Sequence, residues 1–177
     1  PNTLYAGTNR GVYRSDNGAV TWVEASEGIA RDAFGNSYVY TLVLDPSQPS
    51  TVYAGTLQGI FKSQDKGQTW KGKNTGLRVG IMPSVEALAI DPVDTSVLYA
   101  GAGYQGLSGN VFKTEDGGES WVPLTVGLSQ GLVTAISVDG GDHQRVYVAT
   151  RGQGLFTSRD GGRTWQTAGS NTLETGI

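Results

Sequence analysis

Short apolar segments of about four to six residues recur along the whole chain, bounded by Gly, Pro, Asp and Ser. β-Branched and aromatic residues dominate them, as is typical of β-strands. Three of these segments end in Asp, at 42–45, 88–91 and 136–139. No stretch keeps a 3.6-residue period long enough for a helix. The pattern therefore predicts an all-β chain.

The strand-like segments return in a fixed order. After each Asp-ending segment comes a phrase such as Val52-Tyr53-Ala54-Gly55-Thr56, and then one such as Gly59-Ile60-Phe61. A fourth segment begins at a tryptophan. Four short antiparallel strands in a repeat of roughly 40–50 residues are typical of a β-propeller blade. We name these strands A to D and predict blades at about 1–27, 38–73, 84–125 and 132–168, the first of which lacks its inner strand A.

An octapeptide that ends in tryptophan separates strands C and D in every unit. The second copy reads Ser63-Gln64-Asp65-Lys66-Gly67-Gln68-Thr69-Trp70, and the others occupy 15–22, 114–121 and 158–165. The first copy is degraded, with Asn17 and Ala19 in the places of Asp and Gly. The positions that carry the repeat are Ser63, Asp65, Gly67, Trp70, Asp116, Gly118, Trp121, Ser158, Asp160, Gly162, Trp165 and Trp22.

Turn chemistry explains the octapeptide. Asp can accept backbone N–H bonds inside a hairpin, and Gly supplies the positive φ that the turn needs. We therefore expect Asp65, Asp116 and Asp160 to be structural rather than catalytic. A lone turn of this kind also lacks the several oxygen ligands that calcium takes. The three intact tryptophans should be buried between neighbouring sheets, and the degraded hairpin should be the least rigid of the four.

The octapeptide resembles the Asp box, Ser-x-Asp-x-Gly-x-Thr-Trp, of the BNR-repeat β-propellers. These include sialidases, sortilin-type receptors, xyloglucan-hydrolysing endoglucanases and photosystem II assembly factors. The resemblance spans nearly the whole chain and implies a propeller fold. It says little about function, because the families that share the box do unrelated things. Many such proteins are exported, so the resemblance implies an extracellular or periplasmic location.

Composition narrows the choice of partners and cofactors. The formal net charge is −3 and only 16% of residues are charged, which disfavours nucleic acid as a partner. No apolar run of about 18 residues is present, so no membrane insertion is predicted. Cysteine is absent and His143 is the one histidine, which we expect to be a solvated surface residue. We therefore predict no metal and no cofactor.

Irregular sequence concentrates in the B–C and D–A connections, which share one face of a propeller, opposite the octapeptides. Aromatic residues that the repeat does not use lie there beside arginines, a composition typical of binding surfaces. Tyr38 and Tyr40 could equally begin a strand A and pack in the core. The predicted binding residues are Arg31, Phe34, Tyr38, Tyr40, Arg78, Tyr104, Gln105 and Arg151.

These features predict a non-catalytic module whose loop face binds a protein or a glycan. One alternative is a fragment of a xyloglucanase-like hydrolase, which needs two carboxylates across a cleft; Asp32 and Glu86 are the candidates. Glu86 takes the position of Tyr40 and Thr134 in neighbouring units. A second alternative is a structural subunit of an extracellular assembly. The Phe/Tyr-Arg-Ile-Pro motif of sialidases is absent, which argues against that family.

The order of segments also predicts incompleteness. The chain opens at a strand B and stops before a further strand A, so we count fifteen strands, one short of four blades. Propellers usually close with four to eight blades, and closure removes their sheet edges. We therefore expect a segment of a larger propeller, with further blades or another chain at its open edges.

Overall fold

A computed structural model describes residues 2–77, 83–104, 108–128 and 131–168. Within these ranges the chain forms fifteen strands in four antiparallel sheets and no helix, which confirms the predicted all-β fold and strand count. The first sheet has three strands, β1 (Leu4–Thr8), β2 (Gly11–Ser15) and β3 (Val23–Glu24).

Each of the other sheets has four strands that pair in chain order. Their inner strands lie next to one another, with Ser84–Ile90 between Val39–Leu44 and Leu132–Val138. The strands are β4 (Val39–Leu44), β5 (Val52–Thr56), β6 (Gly59–Ser63), β7 (Lys71–Gly72), β8 (Ser84–Ile90), β9 (Leu98–Tyr104), β10 (Ser108–Thr114), β11 (Val122–Leu124), β12 (Leu132–Val138), β13 (Val146–Arg151), β14 (Gly154–Ser158) and β15 (Gln166–Thr167).

The third sheet extends into a glycine-rich stretch. The glycines and Tyr104 over residues 103–109 predict an expanded B–C loop, but β9 continues to Tyr104 and β10 already begins at Ser108. Gly103 and Gly109 pair across the two strands. Glycine signals a turn in the sequence, but its backbone can still pair in a ladder.

The octapeptide tryptophans fill the space between sheets. Trp70, Trp121 and Trp165 are only 4%, 3% and 3% exposed, as predicted. Trp70 shares a cluster with Val12 of the first sheet. Trp22 is 40% exposed, and no earlier sheet covers it in the described part of the chain. Burial between adjacent sheets thus accounts for the tryptophan at each interior octapeptide.

A second repeated device, which the sequence analysis missed, fixes each buried tryptophan. Its backbone N–H donates to a carbonyl in the connection that follows the previous blade, for instance from Trp121 N to Thr75 O at 2.9 Å. The next residue there is a glycine with positive φ: Gly28, Gly76 and Gly127. A Gly-Ile or Gly-Leu pair after each outer strand is the sequence signal.

In two of the blades, the tyrosine of the second strand joins the blade to the octapeptide hairpin of the next one. Tyr53 OH donates to the Gly117 carbonyl at 3.0 Å, and Tyr99 OH to that of Gly161 at 3.1 Å. Burial raises the pKa of each phenol to about 12, so both remain donors at neutral pH. Lys62 Nζ also donates to the Gly117 carbonyl, at 2.9 Å. These bonds tie neighbouring blades together.

Each intact hairpin is organised around its carboxylate. Asp65 Oδ1 accepts the backbone N–H of Thr69 at 2.9 Å and the Ser63 hydroxyl at 2.7 Å, while Oδ2 accepts the Thr69 hydroxyl at 2.6 Å. Asp116 and Asp160 make the same set of contacts. Turn formation accounts for both oxygens of all three carboxylates.

These contacts predict acid sensitivity. Hydrogen bonds from the Thr164 side chain and backbone and from Ser158 lower the pKa of Asp160 to about 2. Because the folded pKa lies below the unfolded value, this contribution to stability is present above about pH 4 and is lost as the pH falls towards 2. We expect the urea midpoint to fall over that range, and to fall less in Asp160→Asn. Parallel pH profiles for the two chains would contradict this origin.

The degraded hairpin predicts a stabilising substitution. Asn17 Oδ1 still accepts the backbone N–H of Thr21, at 2.9 Å, but Ala19 adopts a φ of 75°. A non-glycine residue in the left-handed region costs about 1 kcal/mol. Ala19→Gly should therefore raise the free energy of unfolding by about 0.5 kcal/mol, after the greater entropy of the unfolded glycine is offset. Urea denaturation measures this.

The control for this substitution is Ala33→Gly, at an exposed alanine without positive φ. There the added freedom of the unfolded chain should lower stability. A loss of stability in Ala19→Gly as large as that in Ala33→Gly would contradict the predicted strain. The greater mobility expected of the hairpin at 15–20 stays a prediction.

Candidate functional site

The B–C and D–A connections meet at the ends where the inner strands begin. Backbone bonds join them, from Ser37 N to Asn9 O at 3.1 Å and from Leu57 N to Tyr38 O at 3.0 Å. The A–B connections instead contact the octapeptide hairpins, for example from Gly117 N to Ser96 O at 2.8 Å. The connections thus separate into two faces, and we call the first of them the loop face.

A β-bulge opens each inner strand on this face. The register shifts between Val39 and Thr41 in β4, and at the matching place in β8 and β12. The residues skipped by the pairing are Tyr40, Glu86 and Thr134. These three residues occupy one repeat position in the sequence, but the bulges were not predicted from it. Bulges re-aim side chains, and the strand order sets Glu86 between Tyr40 and Thr134.

The charge of Glu86 acts on the Tyr40 phenol. Desolvation raises the pKa of the Tyr40 phenol, and the negative charge of Glu86 raises it further. Tyr40 therefore remains a hydrogen-bond donor beside a carboxylate at neutral pH. Its side chain is 46% exposed, so it is not a core residue. Glu86 and Tyr38 are half-buried.

A turn over residues 31–36 projects from the same face. Asp32 Oδ1 accepts the backbone N–H groups of Phe34 and Asn36, both at 2.8 Å, and Asp32 N donates to Asn36 O at 2.8 Å. Gly35 supplies a φ of 81°. The turn leaves Phe34 at its tip, 90% exposed.

Both charged residues of this turn, Arg31 and Asp32, already have partners in the protein. Arg31 Nη2 contacts Glu24 Oε1 at 2.5 Å, and Nη1 donates to the Gly35 carbonyl at 3.0 Å. The hydrogen bond from the Asn36 backbone, aided by that from Phe34, lowers the pKa of Asp32. A carboxylate held ionised in this way is poorly suited to act as a general acid. The arrangement is that of a turn-capping Asp.

The other predicted binding residues are spread along the loop face. Arg151 closes β13 and is exposed, and Tyr104 is the last residue of β9. Arg78 and Gln105 lie outside the described residues. Arg10, which was not among the predicted binding residues, is exposed, and its backbone forms an isolated parallel β-bridge with Ser37. Its place in a B–C turn was the signal that could have identified it.

Residues 2–77, 83–104, 108–128 and 131–168 are the part of the chain that the structure describes. They contain no group of three or more His, Cys, Asp or Glu residues placed to hold a metal ion. They also contain no helix with the length and apolar character needed to cross a membrane.

Comparison with known proteins relates the chain to glycoside hydrolases of family GH74 and to other propellers. No protein-family model matches it. It is 32% identical over 94 residues to the xyloglucanase Xgh74A of Acetivibrio thermocellus, which is 46% of this chain and 11% of that enzyme. The GH74 enzyme of Niastella koreensis superimposes with a TM-score of 0.73 and 26% identity, over 93% of this chain and 27% of the enzyme.

Two further structures share the fold at lower identity. The extracellular domain of BT4673 from B. thetaiotaomicron has a TM-score of 0.71 and 16% identity, over 94% of this chain and 21% of that one. YCF48 bound to a D1 peptide has a TM-score of 0.60 and 15% identity, over 96% and 51%.

The predicted resemblance to Asp-box β-propellers is confirmed. The chain is an all-β propeller segment of four sheets that matches a fraction of larger propeller chains. It spans about a tenth of the length of the curated xyloglucanase and about a quarter of the Niastella enzyme. Proteins of this architecture include an extracellular domain and one with a bound peptide.

Proposed function

We propose that this chain is a non-catalytic recognition segment of a larger propeller protein and that its loop face binds an extended glycan. The observation that carries the proposal is the placement of Tyr40 and Glu86 at matching bulges on adjacent inner strands, where the charge of Glu86 acts on the Tyr40 phenol. A phenol donor beside a carboxylate acceptor suits the paired hydroxyl groups of a sugar. The half-exposed Tyr40 ring adds apolar surface to these polar contacts.

The comparisons favour a glycan over a protein as the ligand. The relative with 32% identity is named a xyloglucanase, so its own substrate is a glycan. YCF48, which binds a peptide, is only 15% identical and supports no more than a shared fold. A protein ligand remains the alternative for the same face. A purely structural role would leave both kinds of ligand unbound.

The binding experiment uses the full chain, with a xyloglucan heptasaccharide as the probe in isothermal titration calorimetry. Glu86→Gln should weaken binding about tenfold, because a hydrogen bond to a charged group contributes about 1.5 kcal/mol or more. Glu115→Gln is the matched control, since Glu115 is an exposed acid in the octapeptide hairpin at 114–121. Equal affinities of the two variants, or no glycan binding, would count against the proposal.

A fragment of a xyloglucanase-like hydrolase is the second candidate, favoured by the 94-residue match to such an enzyme. It would need two carboxylates about 5–10 Å apart across a cleft. Asp32 is already engaged in its own turn and is therefore a poor acid partner for Glu86. We expect no xyloglucan turnover. Release of reducing sugar that disappears in Glu86→Gln or Asp32→Asn would favour the hydrolase instead.

We also propose that the protein acts outside the cytoplasm, extracellularly or in the periplasm, with further blades or another chain against its open edges. The resemblance to the Asp-box propellers, many of which are exported, supports this location. The partial coverage of longer propellers supports additional blades. Cell fractionation of the native host tests the location, and recovery of the protein only in the cytoplasm would contradict it.

A further inference from the structure

We propose that Phe34 is a stacking platform for the apolar face of a sugar ring, a contact separate from the Tyr40–Glu86 pair. This inference rests on the proposed function and adds a second point of contact to it. Phe34 is the most exposed of the large apolar side chains described, at 90%. An aromatic ring this exposed buries its apolar surface only when a ligand lies against it.

The turn that carries Phe34 is formed before any ligand arrives. Asp32 accepts two backbone N–H groups, and Gly35 N donates to Asp32 O at 3.0 Å. Arg31 connects the turn to Glu24 at the end of β3. The backbone that carries the ring is therefore held by its own hydrogen bonds, which lowers the ordering cost of binding.

The surroundings of the ring favour a sugar over a protein. A protein hot spot is normally surrounded by contacts that exclude water. Here the neighbours of Phe34 along the turn, Ala33 and Gly35, are small and exposed. Polar groups lie around the tip, among them the exposed Arg31–Glu24 pair. An amphipathic ligand matches this pattern, with its C–H face on the ring and its hydroxyl groups towards the polar side chains.

The two contacts lie on one continuous piece of chain. Tyr40 is six positions after Phe34, so their Cα atoms are at most roughly 20 Å apart even if the segment is fully extended. An oligosaccharide of several residues can reach both positions. Phe34 lies in the connection that leads into β4 and Tyr40 at the bulge that opens β4, so a single extended ligand can use both.

The test compares side chains of different shape at this position by calorimetry of the full chain with the xyloglucan heptasaccharide. Phe34→Ala and Phe34→Leu should each weaken binding about tenfold, because neither keeps a flat ring. Phe34→Trp should bind as well as the wild type. Val93→Ala is the control, an exposed apolar residue in an A–B connection, away from the loop face; it should leave the affinity unchanged. Circular dichroism confirms folding of every variant.

The outcomes separate this inference from the proposed function. If the wild type binds and Phe34→Ala binds equally well, the stacking role is overturned and the proposed function stands. If Phe34→Leu keeps full affinity, the ring is an apolar anchor and stacking is again overturned. If the wild type binds no glycan, both the proposed function and this inference fail.

Discussion

Replacing Trp121 with alanine is expected to lower the free energy of unfolding by about 3–5 kcal/mol. The ring is 3% exposed and packs with Tyr53, Leu77 and Phe112, which come from two different blades. Its Nε1 also donates to the Lys73 carbonyl at 2.9 Å. Removing the side chain leaves a cavity between the blades and a carbonyl without this donor. Urea denaturation at pH 7 measures the loss.

Trp22→Ala is the matched control, because the same octapeptide position is 40% exposed in the first sheet. Trp22→Ala removes less buried apolar area, so its loss of unfolding free energy should be under half of that for Trp121→Ala. Equal losses for the two variants would contradict the inter-blade role of the tryptophan. A loss below about 1 kcal/mol for Trp121→Ala would contradict it too.

Gly76→Ala is expected to destabilise the protein by about 3 kcal/mol or more. An added Cβ would lie 2.1 Å from the Trp121 carbonyl oxygen, and Gly76 has a φ of 88° that an L-residue rarely adopts. The obstacle is backbone that is itself held by the bond from Trp121 N to Thr75 O. Relief requires the blades to separate. The thermal midpoint and the urea midpoint should both fall.

Gly18→Ala isolates the conformational part of this effect. Gly18 has a φ of 68°, but a Cβ there would meet nothing within 4 Å. Gly18→Ala should lower the free energy of unfolding by only about 1 kcal/mol, the cost of the left-handed conformation alone. If Gly76→Ala is no worse than Gly18→Ala, close approach of the two blades at this glycine is not important for stability.

The strand content and the hairpins followed from the sequence because their causes are local. An Asp that caps its own turn and a glycine with positive φ depend on a few neighbouring residues, and fourfold repetition made the signal clear. The bulges at Tyr40 and Glu86 did not follow, since a bulge is a property of the pairing between two strands. The close approach of Gly76 to Trp121 joins two blades and is invisible in either segment alone.

The candidate site also combines features that the sequence predicted with features that depend on contacts seen only in the structure. Phe34 stood out in the sequence because the repeat does not use it, yet its full exposure depends on how the Asp32 turn closes. Arg31 was predicted as a binding residue, and only the structure shows its link to Glu24. His143 was expected to be a solvated surface residue. It is half exposed, but its Nδ1 lies 3.2 Å from the buried Asp91 carboxylate of the neighbouring blade.

Hydrogen–deuterium exchange of the full chain, with and without the xyloglucan heptasaccharide, tests glycan recognition by the loop face most directly. The ligand should slow amide exchange in residues 31–40 and 84–86, where Phe34, Tyr40 and Glu86 lie. The octapeptide hairpins at 63–70 and 114–121 should exchange at unchanged rates. Protection confined to those hairpins, or no protection anywhere at saturating ligand, would contradict the account.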